Sequence, residues 1–170
     1  EHISNYAIDV FENRKLVEAS LQENIKSIRV RGGEVFLAPA VIVATGASWR
    51  RLGLLDEDKY IGHGVHFCPH CDGPFYKDKD VAVIGGGNSG VEAALDLAGI
   101  CRHVTIIEFA DAMRADEVLK QKAQSLENVE ILMSTQTTAL LGDGSKLTGL
   151  RVKDRKTEEE RELTLDGVFV

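Results

Sequence analysis

The feature that most constrains this chain is a glycine-rich turn between a short apolar run and a helical pattern. The run covers residues 81–84, and Gly85, Gly87 and Gly90 then follow the spacing G-x-G-x-x-G. The first glycine permits a tight turn, the second lets the backbone approach a diphosphate, and the third lets the helix pack on the strand. A diphosphate would lie at the helix N-terminus, where free N–H groups favour negative charge. The stretch therefore predicts a dinucleotide-binding α/β unit.

The pattern after this turn continues as alternating helices and strands. Apolar residues at i, i+3, i+4 and i+7 from residue 91 to 98 predict a helix, which Gly99 ends. The other predicted elements are strands at 104–107 and 129–133, a helix at 115–126, antiparallel strands at 137–141, 147–152 and 163–165, and a last strand at 168–170 that rejoins the parallel sheet. The order strand–helix–strand–helix–strand is the mononucleotide-binding half of a doubly wound fold.

The first part of the chain is mostly strand-like. Alternating runs on both sides of Gly32 and Gly33 predict a hairpin. The continuous apolar run at residues 40–44 predicts a strand that is covered on both faces, although its partners are not obvious within this chain. Residues 47–66 have no sustained period, and we expect them to connect two domains.

Cys68 and Cys71 form a C-x-x-C pair just before the glycine-rich turn. The pair is consistent with a redox disulfide, with a zinc site, or with two ordinary thiols. The candidate zinc ligands beside it are His63, His66 and His70. Structural zinc sites usually take a second ligand pair from a separate segment, and the sequence has no second C-x-x-C, so the redox interpretation is favoured. Cys101 is expected to be a buried small hydrophobic residue.

An acidic residue stands where a dinucleotide site would place one. Glu108 ends the second predicted strand, near the usual distance of about 20 residues from the glycine loop. Its carboxylate can accept hydrogen bonds from the ribose hydroxyls and would repel a 2′-phosphate. Arg114 is the nearest basic residue that could favour a phosphate instead. The sequence thus favours NAD(H) over NADP(H).

Length and composition exclude several other classes of protein. The 170 residues are 44% hydrophobic, which suits a folded domain, and the net charge of −7 argues against a nucleic-acid partner. No apolar run approaches the roughly 18 residues of a membrane span, and no signal peptide opens the chain. Three cysteines are too few for a secreted disulfide scaffold, so we expect a reducing, cytoplasmic setting. Because the chain begins without Met and ends in a strand-like run, we expect it to be part of a longer protein.

Three motifs together resemble the low-molecular-weight thioredoxin reductase family. They are an A-T-G run that ends at Gly46, the run C-P-H-C-D-G-P from Cys68, and the run G-G-G-N-S-G-V-E-A-A from Gly85. The resemblance covers nearly the whole chain. Within the family, the C-P-H-C run, Glu108 and the run D-L-A-G-I favour members that use NADH and reduce a peroxiredoxin. An NADPH-dependent thioredoxin reductase remains the alternative.

The resemblance implies a particular domain organisation. Residues 1–46 would belong to an FAD-binding domain, residues 47–165 would be an inserted NAD(H)-binding domain that carries the C-x-x-C, and residues 166–170 would begin the return to the FAD domain. The implied fold class is α/β: a Rossmann-like FAD/NAD(P)-binding domain with a parallel sheet and an antiparallel β-meander, plus a β-rich piece of an incomplete FAD domain. FAD is therefore not expected to bind tightly to this chain alone, and a homodimer is expected of the full-length protein.

The resemblance also implies roles for individual residues. Electrons would pass from NADH through FAD to the Cys68–Cys71 disulfide and on to a peroxiredoxin or another thioredoxin-like disulfide acceptor. Cys71 would lie nearer the flavin, Cys68 would attack the next disulfide, and Asp72 would exchange the proton. The residues expected to bind NAD are Gly85, Gly86, Gly87, Asn88, Ser89, Gly90, Glu92 and Glu108, and those expected on the FAD side are Ala44, Thr45 and Gly46. If the chain acts alone, the alternative is a nucleotide-binding module without turnover.

Overall fold

The computed structural model describes residues 5–46 and 48–170, which form two compact units divided at residues 47–48. The first unit contains strands β1 (Leu16–Ser20), β2 (Lys26–Val30) and β3 (Val35–Ala38). The helices of the second unit are α1 (Glu57–Tyr60), α2 (Pro69–Asp72), α3 (Asn88–Ala98) and α4 (Glu117–Gln124), with a 3₁₀ helix at Gly73–Tyr76. Its strands are β4 (Val65–His66), β5 (Asp80–Ile84), β6 (His103–Ile107), β7 (Val129–Leu132), β8 (Thr135–Gly142), β9 (Leu147–Asp154), β10 (Glu160–Thr164) and β11 (Gly167–Phe169).

The first unit is a three-stranded antiparallel sheet in the order β1-β2-β3. The predicted hairpin is confirmed, because β2 pairs with β3 around Gly32 and Gly33, which both have positive φ angles, of 110° and 91°. Glycine adopts such angles without the steric cost that a Cβ brings. Strand β1 pairs with the other edge of β2 and was not individually predicted.

The strand predicted at residues 40–44 is wrong. These residues are irregular, and the side chains of Ile42 and Val43 are 91% and 70% exposed. A strand is stabilised by its ladder of hydrogen bonds to a neighbour, and within residues 5–46 and 48–170 no strand pairs with this run. The apolar pattern alone therefore does not produce a strand here.

The second unit is built on a five-stranded parallel sheet in the order β4-β11-β5-β6-β7. The predicted strand–helix–strand–helix–strand unit is confirmed by β5, α3, β6, α4 and β7, although α4 is shorter than the predicted 115–126. The last strand joins the parallel sheet as predicted, between β4 and β5, so that Val168 pairs with both Val65 and Ala82.

Residues 57–66 are an integral part of this unit, so the expected connector is wrong for them. Glu57 is only 4% exposed, and its carboxylate accepts hydrogen bonds from the backbone N–H groups of Leu52 at 2.9 Å and Gly53 at 2.8 Å. Tyr60 and Val65 are buried in the core. A strand of two residues has no periodicity to detect, which is why the sequence does not predict it.

The parallel sheet separates two apolar layers. Successive side chains of a strand point to opposite faces, so Val81 and Val83 pack with helices α3 and α4, whereas Ala82 packs with the antiparallel meander of β8, β9 and β10. Leu97 on the helical side and Leu150 on the meander side are both fully buried. Complete burial of such a side chain stabilises the fold by about 1.5–3 kcal/mol. No helix of the described residues is long and apolar enough to cross a bilayer.

The exposed run at residues 40–44 and strand β5 should differ sharply in amide exchange. We expect the amides of Val41 to Val43 to exchange within the earliest time points, because they have no ladder partner, and those of Val81 to Val83 to be the slowest. Hydrogen–deuterium exchange with mass spectrometry of the 170-residue chain measures both segments at once. Equal protection of the two segments would contradict the description of residues 40–44.

Candidate functional site

The Cys68–Cys71 pair forms a disulfide at the carboxyl end of β4. Cys68 has an extended backbone and caps helix α2, and Pro69 takes the first helical position, where its missing N–H is not needed. The backbone N–H of Cys71 donates to Cys68 Sγ at 3.2 Å, and the two Cα atoms are 5.3 Å apart, within the range that a disulfide spans. With its sulfurs bonded to each other, the pair supplies no thiolate for a metal. Within residues 5–46 and 48–170, no group of three or more His, Cys, Asp or Glu is arranged to hold a metal ion.

A hydrogen-bonded chain of side chains begins at Asp72, the residue that follows Cys71. Asp72 Oδ2 lies 3.2 Å from His66 Nδ1, and the other ring nitrogen, Nε2, lies 2.7 Å from the hydroxyl of Tyr76. His66 and Tyr76 are each 8% exposed, and Phe169 of β11 packs against both rings. The sequence suggests His66 only as a zinc ligand. Its contact with Tyr76 is made by a tight turn, and no regular residue spacing predicts that contact.

Burial sets the protonation of this chain. It raises the pKa of Tyr76 to about 12, and the Asp72 carboxylate acts in the same direction. It lowers the pKa of His66, although Asp72 offsets part of that effect. At neutral pH the phenol is therefore protonated and the imidazole is neutral.

The glycine loop has the geometry that its spacing predicts. Gly85 leaves β5 with a φ of +114°, and a Cβ on Gly90 would lie 2.1 Å from the Gly85 carbonyl oxygen, so the predicted close packing of helix on strand is confirmed. A Cβ on Gly87, the N-cap of α3, would meet nothing within 4 Å. The loop thus has an open flank where a diphosphate could approach the first turn of α3.

Glu108 braces the glycine loop. Its side chain is only 4% exposed, and its two carboxylate oxygens accept hydrogen bonds from the backbone N–H groups of Gly86 at 2.5 Å and Ala110 at 2.7 Å. The Gly86 carbonyl in turn accepts from the backbone N–H groups of Arg114 and Ala115. This structural use of the carboxylate was not foreseen; an expected contact with ribose would have to use its remaining lone pairs.

Asn88 closes the far side of the loop, at the start of α3. Its side-chain amide accepts from the backbone N–H of Asp116 at 2.8 Å and donates to the Asp116 carboxylate at 3.1 Å. Because Asp116 is the N-cap of α4, this pair ties the starts of the two helices together. Asn88 therefore positions the loop through contacts within the protein, in addition to the nucleotide contact that the sequence predicts for it.

The disulfide segment and helix α3 line one cleft of about 660 Å³. Its lining residues include Trp49, Phe67, His70, Ser89, Glu92 and Asp96. Trp49 stacks on Phe67 with ring centroids 5.8 Å apart, and His70 Nε2 lies 3.5 Å from the Asp96 carboxylate on α3. The two motifs that the sequence placed close together along the chain are thus neighbours in space.

A second pocket of about 350 Å³ lies on the other side of Gly85. Glu108 lines it together with Phe109, Arg114, Arg50 and Arg51. The guanidinium of Arg155 lies over the Phe109 ring at 3.6 Å from its centroid. The pocket has the size and mixed polarity of a nucleoside site. Ala44, Thr45 and Gly46 lie in the other unit, in the irregular segment that follows β3.

Comparison with known proteins identifies the family. Residues 2–170 match the family model described as pyridine nucleotide-disulphide oxidoreductase. The chain belongs to this family.

Named relatives and solved structures agree with that assignment. The chain is 49% identical to the F component of alkyl hydroperoxide reductase from Escherichia coli and 47% identical to that from Staphylococcus aureus, covering 99% of the chain and 33% of each relative. It is similar to a thioredoxin reductase from T. acidophilum, with 35% identity and a TM-score of 0.74 over 99% of this chain and 54% of that one. It is also similar to a thioredoxin reductase from Giardia duodenalis, with 29% identity and a TM-score of 0.82 over 92% of this chain and 51% of that one. The fold class and the family resemblance expected from the sequence are confirmed. The chain spans about a third of the length of these curated relatives.

In this member of the pyridine nucleotide-disulphide oxidoreductase family, Gly90→Ala should distort the glycine loop. The new Cβ would collide with the Gly85 carbonyl, and such overpacking typically costs about 1–3 kcal/mol of unfolding free energy. Urea denaturation should show that loss, and calorimetry should show weakened binding of NADH.

Gly99→Ala is the matched control, because it lies at the other end of α3 and its Cβ would approach nothing closer than 3.5 Å. It should leave nucleotide binding unchanged and, because Gly99 has a right-handed conformation that alanine also adopts, should not lower the unfolding free energy but raise it by about 0.4–1 kcal/mol. Equal effects of the two substitutions would contradict a specific role for the contact between Gly85 and Gly90.

Proposed function

We propose that this chain is the nucleotide-binding and disulfide-bearing part of an NADH-dependent flavoprotein disulfide reductase that feeds a peroxiredoxin. The observation that supports the proposal most strongly is the cleft that Pro69 and His70, the two residues between the cysteines, line together with helix α3. The relatives' name, alkyl hydroperoxide reductase, supports a peroxide as the final oxidant.

The reaction balances as a two-electron transfer. NADH gives up a hydride and becomes NAD⁺, while two electrons and two protons convert the disulfide to two thiols. FAD, when bound, would accept the hydride and pass the electron pair to sulfur. In this scheme, which follows the family resemblance, Cys71 would receive the electron pair, Cys68 would attack the disulfide of the acceptor as a thiolate, and Asp72 would exchange a proton with the pair.

The described residues suit the nucleotide better than the flavin. The open flank at Gly87 and the first turn of α3 offer free N–H groups to a diphosphate. Ser89 and Glu92 would extend the contacts along the cleft. In contrast, the three residues expected on the FAD side, Ala44, Thr45 and Gly46, are exposed and irregular. FAD and the domain boundaries at residues 46 and 165 therefore enter the proposal through the family resemblance.

An NADPH-dependent thioredoxin reductase is the second candidate. It is favoured by Arg50, Arg51 and Arg114, which line the pocket beside Glu108 and could hold a 2′-phosphate. These guanidinium groups would attract the diphosphate that both nucleotides contain, so they do not by themselves distinguish the two. The Glu108 carboxylate does distinguish them, because it would repel the 2′-phosphate that only NADPH carries. NADH thus remains the first candidate. A homodimer of the full-length protein and a cytoplasmic location remain predictions.

Nucleotide preference tests the proposal directly. Calorimetric titration of the 170-residue chain should show NADH binding at least about tenfold more tightly than NADPH, which corresponds to about 1.4 kcal/mol. Glu108→Gln removes the charge and keeps one oxygen to accept from Gly86 N–H, while its NH2 group replaces the acceptor of Ala110 N–H. The lost hydrogen bond affects both nucleotides alike, so the variant should narrow the difference between the affinities for NADH and NADPH. The control Glu127→Gln, at an exposed position, should not.

Tighter binding of NADPH by the unchanged chain would move the assignment to a thioredoxin reductase. If neither nucleotide bound, the proposed nucleotide site would be contradicted for this chain.

A further inference from the structure

The hydrogen-bonded chain of Tyr76, His66 and Asp72 is not explained by nucleotide binding or by the disulfide alone. The ring of His66 is fixed from several directions: its backbone pairs with Phe169 in the sheet, and the rings of Phe169 and Tyr76 lie 5.5 Å and 5.2 Å from it. Both ring nitrogens have partners, although the side chain is 91% shielded. A buried polar side chain held this tightly has little freedom to serve another partner.

The direction of the hydrogen bonds follows from the protonation states. A carboxylate can only accept, so the contact of Asp72 Oδ2 with His66 Nδ1 places the imidazole proton on Nδ1; the neutral ring is then bare at Nε2 and accepts from the hydroxyl of Tyr76. Nδ1–H then donates to Asp72 Oδ2. This tautomer is the opposite of the one that free histidine favours in water. Tyr76 therefore selects the tautomer of His66 that can donate to a carboxylate.

We propose that His66, with its tautomer set by Tyr76, is a positioning residue that orients the carboxylate of Asp72, the residue that directly follows Cys71. The inference rests on the proposed function, in which Asp72 exchanges a proton with the dithiol. The Nδ1–H group of His66 holds the Asp72 carboxylate in one orientation at 3.2 Å. Asp72, whose side chain is 32% exposed, remains in contact with solvent and can exchange its proton there.

Other charged groups near these residues must be considered in any pH profile. The titratable groups that face His66 are Asp72, Tyr76 and, more weakly, His63. Those that face Tyr76 include Asp166 and Cys101, and Lys79 Nζ lies 5.4 Å from its ring centroid. Substitutions that leave all of these in place therefore isolate the contribution of His66.

The test follows oxidation of the reduced 170-residue chain by dipyridyl disulfide as a function of pH. One chain dithiol and one probe disulfide give the Cys68–Cys71 disulfide and two thiopyridones, so two electrons and two protons leave the chain. His66→Phe removes the donor that orients Asp72, so oxidation on the plateau above the thiol limb should slow roughly tenfold, the factor expected for the loss of a hydrogen bond to a charged group. Tyr76→Phe should slow it in the same direction and Asp72→Asn at least as much, while the acid limb that reports thiolate formation should remain in all three variants.

Two further variants separate positioning from a general effect on folding. His66→Asn places an amide N–H near the position of Nδ1–H without a titrating ring, so it should restore the profile of the unchanged chain. His103→Gln alters a histidine whose ring faces Glu130 on β7, and it should leave the profile unchanged. Nitrogen-15 NMR of the unchanged chain should show His66 protonated at Nδ1 and bare at Nε2, and Tyr76→Phe should change that state.

The outcomes distinguish this inference from the proposed function. If Cys68 and Cys71 cannot be reduced and reoxidised as a pair, the proposed function fails. If the pair is reversible but His66→Phe leaves the rate of oxidation unchanged, or NMR finds the proton on Nε2, the role assigned to His66 is overturned.

Discussion

The register of one parallel sheet brings the candidate site together. Strand β11 pairs with β4 on one side and β5 on the other, so the carboxyl ends of these strands lie at the same edge. Cys68 follows β4, Gly85 follows β5, and Glu108 follows β6. In open α/β sheets this edge is where ligands bind. A dithiol and a nucleotide loop become neighbours here because β11 fills the gap between β4 and β5.

The same arrangement explains why the two faces of the sheet are so different. Helices α3 and α4 cover one face of the sheet and the meander covers the other. Because both faces are covered, the edge at the carboxyl ends of the strands is formed by loops and by the first turns of helices. Those loops are held by polar contacts, since Glu108 braces Gly86 and Asn88 holds Asp116. The site is thus positioned by the scaffold and by a few backbone hydrogen bonds, which leaves Gly87 free to face a ligand.

Much of this could be predicted from the sequence, and the exceptions have physical reasons. Helix α3 has strong helical periodicity, strand β5 is a short apolar run, and glycines mark the turn between them, so both their type and their place were predictable. Residues 40–44 have the composition of a strand, but a strand also depends on a partner that composition does not reveal. The contact of Tyr76 with His66 arises from a tight turn through α2 and the 3₁₀ helix, and no regular spacing records it. The motif predicts that an acidic residue ends the second strand. It does not predict which backbone groups that residue contacts, so the hydrogen bond from Gly86 to buried Glu108 was not predicted.

The central claim is that Cys68 and Cys71 form a working redox couple, and its most direct measurement is their equilibrium in glutathione buffers. Alkylation and mass spectrometry of the 170-residue chain count the thiols at each buffer potential. The account predicts a reversible two-electron transition at Cys68 and Cys71, with buried Cys101 unchanged and a midpoint above about −300 mV, the range of labile disulfides. A midpoint well below that value, as for a structural disulfide, or a transition that involves Cys101, would contradict it.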